Sequence, residues 1–182
     1  MTWTIRRPAP GDGPRLRELR LHALRDTPQA FLETHSQAAG LNDAEWESRI
    51  ERYNRPGRQV LVIAETRRTW IGMLGAFIDH EHDSPDLDLP RPPLGPTDRW
   101  AMLWGAFVTP SHRSQGLADQ LCAEIYTWAA DEARVNWIGL DVRDSNTPAI
   151  RFYQRQNFQN AARRSHPALG VTSLVMVRPI NT

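Results

Sequence analysis

The stretch Val108-Thr-Pro-Ser-His-Arg-Ser-Gln-Gly-Leu-Ala118 sets Arg113, Gly116 and Ala118 in the pattern R-x-x-G-x-A, where an apolar run passes through a turn into a helical pattern. Such a turn suits an anion. Small residues let a phosphate reach the backbone, and the unpaired first-turn amides with the positive end of the helix dipole hold it. The same glycine also suits a plain tight turn, and the motif alone fits both readings. A second stretch, Leu140-Asp-Val-Arg-Asp-Ser-Asn146, leads into Pro148, Ala149, Ile150 and Tyr153 and ends at Asn157-Phe158. Asn146 and Tyr153 are seven residues apart, about two helical turns, so they fall along one helix face. Tyr153 offers a phenol that can give up a proton or pack in a core. Asn146 or Thr147 can cap the helix, with Pro148 in its first turn. Asn157 stands where that helix must stop, in a left-handed position that asparagine tolerates.

Composition removes other chemistries. The chain has 182 residues, all 22 basic ones are arginine, and Cys122 is the only cysteine. Without lysine there is neither a Walker-type phosphate loop nor a Schiff base. One cysteine allows no internal disulfide and no multi-cysteine zinc site. The net charge of +1 is spread out, which predicts no nucleic-acid partner. The longest apolar runs, Trp70–Ile78 and Trp100–Val108, reach nine residues, against the ~20 that cross a bilayer. No export signal is read at the N-terminus, so the expectation is a cytoplasmic protein with no membrane partner. Exclusive use of arginine points to a GC-rich, bacterial genome.

These residues need elements to position them. Thr2–Arg7 reads as a strand; Asp12 is placed to cap a helix with Pro14 in its first turn and Leu16, Leu19 and Ala23 on its apolar face. Asp43–Tyr53 reads as a second helix, and Gln59–Glu65 and Trp70–Ile78 as antiparallel strands joined by a polar turn. Trp100–Val108 is the fourth strand. Gly116–Arg134 carries Leu117, Leu121, Ile125 and Trp128 at helical spacing. Trp137–Val142 is the fifth strand, Thr147–Gln156 a helix, and Phe158–Arg164 and Ser173–Arg178 the last strands. Strand, crossover helix and strand over Trp100–Val142 predict one parallel pair in a mixed α/β chain. The segment Asp79–Arg99, dense in proline and aspartate, reads as a loop inserted into a single domain spanning 1–182.

Taken together, V-x-P-x-x-R-x-x-G-x-A followed by N-x-x-A-x-x-x-Y-x-x-x-x-F resembles the GCN5-related N-acetyltransferase (GNAT) family, over nearly the whole chain and most clearly over Trp100–Phe158. The resemblance implies a mostly antiparallel sheet of six or seven strands whose parallel fourth and fifth strands splay apart, with about four helices. It implies acetyl-CoA as cofactor, with its pantetheine arm along Phe107 and Val108 and its pyrophosphate on Arg113, Ser114, Gln115, Gly116, Leu117 and Ala118. Asn146 matches a position that contacts the cofactor arm, Tyr153 the tyrosine that protonates the departing thiolate, and Arg155 a basic position near the nucleotide. The implied reaction is N-acetylation of a primary amine, on a small molecule or peptide, by direct attack in a ternary complex. A non-catalytic acyl-CoA-binding module is the other reading, and the chain is expected as a monomer or homodimer.

The amine must lose a proton before it attacks. Many family members place a glutamate on the fourth strand for this, whereas Trp100–Val108 holds no carboxylate, histidine or tyrosine. Asp141, His112, Asp79 and His80 are the candidate bases, with ordered water as the alternative. A bulge near Phe107 or Val108 would aim a backbone amide at the developing oxyanion. Thr27–Arg55 and Ser165–Thr172 are the segments expected to form the acceptor pocket, with Trp46, Trp70 and Trp104 as possible walls. The acidic insertion offers a steering field for a cation, or only a solvated loop; His80 and His82 on it make a poor metal site, and no metal is expected.

Overall fold

A computed structural model describes residues 2–67, 69–78, 94–95, 97–166 and 170–180. Seven strands form one sheet in the order β1-β2-β3-β4-β5-β7-β6: β1 (Thr4–Arg6), β2 (Gln59–Thr66), β3 (Thr69–Ile78), β4 (Trp100–Val108), β5 (Trp137–Arg143), β6 (Gln159–His166) and β7 (Val171–Pro179). Every neighbouring pair is antiparallel except β4 and β5, which run parallel as the crossover pattern predicts. The acidic and proline-rich stretch between β3 and β4 lies mostly outside the described residues, and with it Asp79, His80 and His82. Among the described residues no helix is long and apolar enough to cross a membrane, and no group of three metal-ligating side chains converges.

The sheet is buried on both faces, which is why β2, β3 and β4 read as unbroken apolar runs. Val60, Val62 and Ala64 of β2 face one side, with Leu117, Leu121, Ile125 and Trp128 of α4 (Leu117–Asp131) and with Tyr153 of α5 (Thr147–Arg155). Leu61 and Ile63, the alternate positions, face the other, against Leu16, Leu19 and Ala23 of α1 (Gly13–Asp26) and Trp46 and Ile50 of α3 (Asp43–Tyr53). Period 2 in the strand meets period 3.6 in the helices, and two cores result.

Among the described residues five α-helices form, where the resemblance implies about four. The additional α2 (His35–Ala39) is announced by a capping box: Thr34 accepts from the Gln37 amide while the Gln37 side chain accepts from that of Thr34. Asn42 and Glu45 make the same reciprocal pair before α3. Asp12 does not cap α1. Its carboxylate instead takes Arg6 at 2.7 Å and the Ala9 amide at 2.9 Å, while Glu47 of α3 receives the Gly11 and Gly13 amides. Helix α4 starts one residue later and stops three residues sooner than its pattern suggests, and Arg134 beyond it adopts a left-handed φ of 51°. Asn157 does take the left-handed conformation expected of it, at φ 64°.

Candidate active site

The site grows from a mismatch between two strands. β4 and β5 pair only at Trp100–Trp137, Ala101–Ile138 and Met102–Gly139. Beyond that point the strands separate, so the β5-facing edge of Leu103–Val108 has no strand partner. On its other edge β4 pairs with β3, but Trp104 lies opposite Gly75 and Phe107 opposite Met73. Gly105 and Ala106 therefore share the single residue Leu74, a bulge whose first residue, Gly105, has a φ of 67°. The bulge falls at Gly105–Ala106, just ahead of the Phe107–Val108 position anticipated from sequence.

β4 ends where the Thr109 amide bonds to Ile71 at 2.8 Å, and a 3-10 turn over Pro110–His112 leads to the loop. Ser114 and Gly116 both take left-handed backbone, with φ of 60° and 81°. Gly116 is the residue before α4, and no side chain caps this helix start; the Gln120 amide, bonded to the Gly116 carbonyl at 3.2 Å, is the first to find a helical partner. A Cβ on Gly116 would meet no protein atom within 4 Å. Glycine is demanded here by its φ and not by internal crowding. Asp119 in the first turn is tied to Gln156 at 2.7 Å, which joins α4 to the end of α5. Gln115 folds back onto the Ser111 carbonyl at 2.9 Å.

The cations near this loop are arranged differently from a simple phosphate clamp. Arg113 donates from Nε to the Val108 carbonyl at 2.9 Å, forms an ion pair with Asp26 at the end of α1, and lies over the Phe107 ring. It ties the end of β4 to α1. Arg155, on the exposed side of α5, lies over Phe152 and bonds to the Arg151 carbonyl. Asn146 accepts from the Ala149 amide at 3.3 Å and so caps α5.

Tyr153 sits in the α4-side core with its ring edge-on to Phe152 and Phe158, at 5.3 and 5.5 Å. Burial, and next the neighbouring Cys122, push its hydroxyl well above the ordinary phenol range. Tyr153 therefore stays protonated at any working pH. Burial also raises the Cys122 thiol, to about 11, so it is no nucleophile.

The candidate bases separate. His112 has Nδ1 engaged by Thr109 Oγ1 at 2.9 Å and Ser111 Oγ at 3.0 Å. Asp141 lies on β5 opposite Val175, in the separated half of the strand. Of the three tryptophans considered as pocket walls, Trp46 and Trp70 are core, at 1% and 5% exposure. Only Trp104 remains at the surface of the site. Its indole fills the space a Cβ on Gly75 would occupy and meets the Tyr53 ring of α3 at a tilt of 49°, with centroids 4.5 Å apart.

Sequence reasoning named Thr27–Arg55 as acceptor-side but found no motif there. The structure shows one that is not sequential: Glu33 pairs with Arg20 of α1 at 2.8 Å and Arg49 of α3 at 2.7 Å. Burial raises the Glu33 pKa, but the bonds from Arg49 and the charge of Arg20 outweigh it, so Glu33 is held below the usual carboxylate range. A capping residue can be read from one segment; a triad drawn from three cannot.

A profile of the acetyltransferase (GNAT) family matches residues 18–158. The chain belongs to the GNAT acetyltransferase family. Solved structures share its fold at low identity. A GNAT acetyltransferase from Streptococcus pneumoniae superposes with a TM-score of 0.77 at 16% identity, covering 99% of this chain and all of its own. NAA60 of Arabidopsis thaliana, solved with a bisubstrate analogue, gives 0.69 at 21% identity and 99% of both chains. The yncA protein of Salmonella typhimurium, solved with its cofactor acetyl-CoA, gives 0.72 at 14% identity, over 100% of this chain and 96% of its own. No curated protein matches the sequence. As a GNAT chain it has the family's sheet, with the family's cofactor, acetyl-CoA, as its expected acyl donor.

Proposed function

We propose that this chain is an N-acetyltransferase that moves an acetyl group from acetyl-CoA to a primary amine of a small molecule or peptide, in a ternary complex. The whole chain acts as one catalytic unit, monomeric or homodimeric, in the cytoplasm. The observation that carries the reading is the β4–β5 separation opening onto an uncapped helix start with glycine at its entrance. An uncapped N-terminus holds unsatisfied N–H donors and a positive dipole end, and the residues present fit a pyrophosphate.

Acetyl-CoA supplies an activated thioester: the amine nitrogen bonds to the acetyl carbon as the carbon–sulfur bond breaks. The Leu103–Val108 edge offers backbone donors and acceptors for the extended arm. Arg113, Ser114, Gln115, Gly116, Leu117 and Ala118 would hold the pyrophosphate, chiefly through backbone amides, since the Arg113 side chain is engaged by Val108 and Asp26. Asn146 and Arg155 would act further along the cofactor. Backbone amides of the Gly105–Ala106 bulge would be the donors for the developing oxyanion. Tyr153 gives its proton to the thiolate, and the proton lost by the amine leaves through water, since β4 carries no ionisable side chain.

That missing strand base is also what favours the second reading, a non-catalytic acyl-CoA-binding module. Measuring free thiol while a panel of amines is offered with acetyl-CoA separates the two. Calorimetric binding of CoA with no thiol release from any amine would select the module.

A further inference from the structure

We propose that the acceptor is a small amine bearing a carboxylate, and that Arg20 takes that carboxylate beside the β4 bulge. The inference rests on the acetyl-transfer reading and names the acceptor class for the same site. Arg20 lies across Phe31, its guanidinium carbon 4.5 Å from the ring centre, and its Nε is given to Glu33. Its Nη1 is shielded from solvent and has no hydrogen-bond partner among the described residues. It stands 3.8 Å from the point a Cβ on Gly105 would occupy, so it lies against the bulge itself. Arg17 Nε is a second shielded cationic donor without a hydrogen bond among the described residues, but Arg17 forms an ion pair with Asp43, whereas the Arg20 Nη1 edge lies at the bulge.

A shielded guanidinium N–H without an acceptor forfeits its hydration, and the group that best restores it is an oxyanion. Charge decides the same way. Arg20 and Arg49 share the Glu33 carboxylate, and Glu45 also acts on Arg49. The unengaged Nη1 edge of Arg20 attracts a carboxylate and repels an acceptor group that is only cationic. In an amino acid the amine is two bonds from the carboxylate carbon, so seating the carboxylate on Arg20 puts the amine next to the Gly105–Ala106 amides. The Tyr53–Trp104 pair, its rings tilted at 49° to one another, provides an apolar wall for the remaining side group.

The test compares phenylalanine and leucine with their carboxamides and with phenethylamine and isoamylamine. Binding to the CoA-loaded protein is measured by calorimetry, and thiol release from acetyl-CoA is compared per unit of free amine. Each acid should bind at least about tenfold more tightly than its carboxamide and its decarboxylated amine, with the margin shrinking as salt rises. Arg20→Gln should bring acid and carboxamide within about twofold, while Arg20→Lys keeps part of the preference. Equal binding of acid and carboxamide to the wild-type protein would overturn the inference. So would a preference that survives Arg20→Gln, or no binding of either acid at millimolar concentration. The wild-type comparison decides the matter even if Arg20→Gln does not fold. Preferential binding of the acids without thiol release from any amine would sink the acetyl-transfer reading and leave the carboxylate site standing. Thiol release indifferent to the carboxylate would do the reverse.

Discussion

Tyr153 and Cys122 share one apolar setting, and it gives them opposite consequences. A buried phenol that never ionises is well suited to hold and hand over a proton, so long as a thiolate develops beside it. Tyr153→Phe should preserve acetyl-CoA affinity in calorimetry and lower kcat by roughly 10²–10⁴, the usual worth of a positioned acid. Equal losses of affinity and turnover would make Tyr153 a packing residue only, and an unchanged rate would assign the proton to water. No limb from Tyr153 ionisation should appear in the pH profile below about pH 10, because burial moves that event upward. Cys122, with its thiol raised to about 11 and its side chain buried, should resist a thiol reagent at pH 8 until the protein is unfolded. Fast modification of the native protein would show that this core opens.

At the scale of elements, the loop before α4 and the bulge in β4 each rest on one glycine with positive φ. Gly116→Val and Gly116→Asp should weaken acetyl-CoA binding severely. Both force a side chain into a left-handed backbone, and both put bulk where the proposed phosphates would approach. Calorimetry on the folded variants checks this, and unchanged affinity would remove the cofactor from this loop. Gly75 plays another part: a Cβ there would overlap the Trp104 indole. Gly75→Ala should therefore displace the Trp104–Tyr53 wall and lower stability by about 1–3 kcal/mol, the ordinary cost of overpacking. A near-ultraviolet circular dichroism spectrum and a melting curve report both effects.

The molecule as a whole answers to pH in two ways. Asp12, Asp26, Glu33 and Glu65 are all held below their ordinary pKa: for Asp12 and Glu33 arginine bonds outweigh the opposing burial, and for Asp26 and Glu65 hydrogen bonds dominate. A carboxylate with a lower pKa folded than unfolded contributes stability that is present above its unfolded value. That stability is lost as pH falls, because the unfolded chain then takes up more protons. The ordinary values are 3.8 for the aspartates and 4.5 for the glutamates. Tm should stay level down to about pH 5 and fall steeply below that, and Glu33→Gln should make the fall shallower. Turnover follows a different group. With no ionisable side chain on β4, kcat/KM should rise toward the acceptor's own pKa and move with it from one acceptor to the next. A limb fixed near pH 6–7 for every acceptor, and abolished by replacing Asp141 or His112, would reveal a dedicated base.

Local rules made much of this chain legible from its residues alone. The nine-residue apolar runs dictate strands buried on both faces, the three- and four-residue spacing of Leu117, Leu121, Ile125 and Trp128 dictates α4, and the arrangement of Pro148, Asn146 and Asn157 dictates where α5 begins and ends. The loop proposed for the cofactor is likewise a contiguous motif, so its place before α4 could be read without coordinates. Two capping boxes were equally local, and α2 follows from the first of them. What tertiary structure decided is everything that depends on residues distant in the chain. Asp12 could have capped α1, but Arg6 and Glu47 came from elsewhere and changed its partners. The separation of β4 from β5 after three pairs is a property of the whole twisted sheet. The Arg20–Glu33–Arg49 cluster over the bulge exists only because α1, the segment before α2, and α3 fold onto the same face, where burial turns three ordinary surface residues into one charged site.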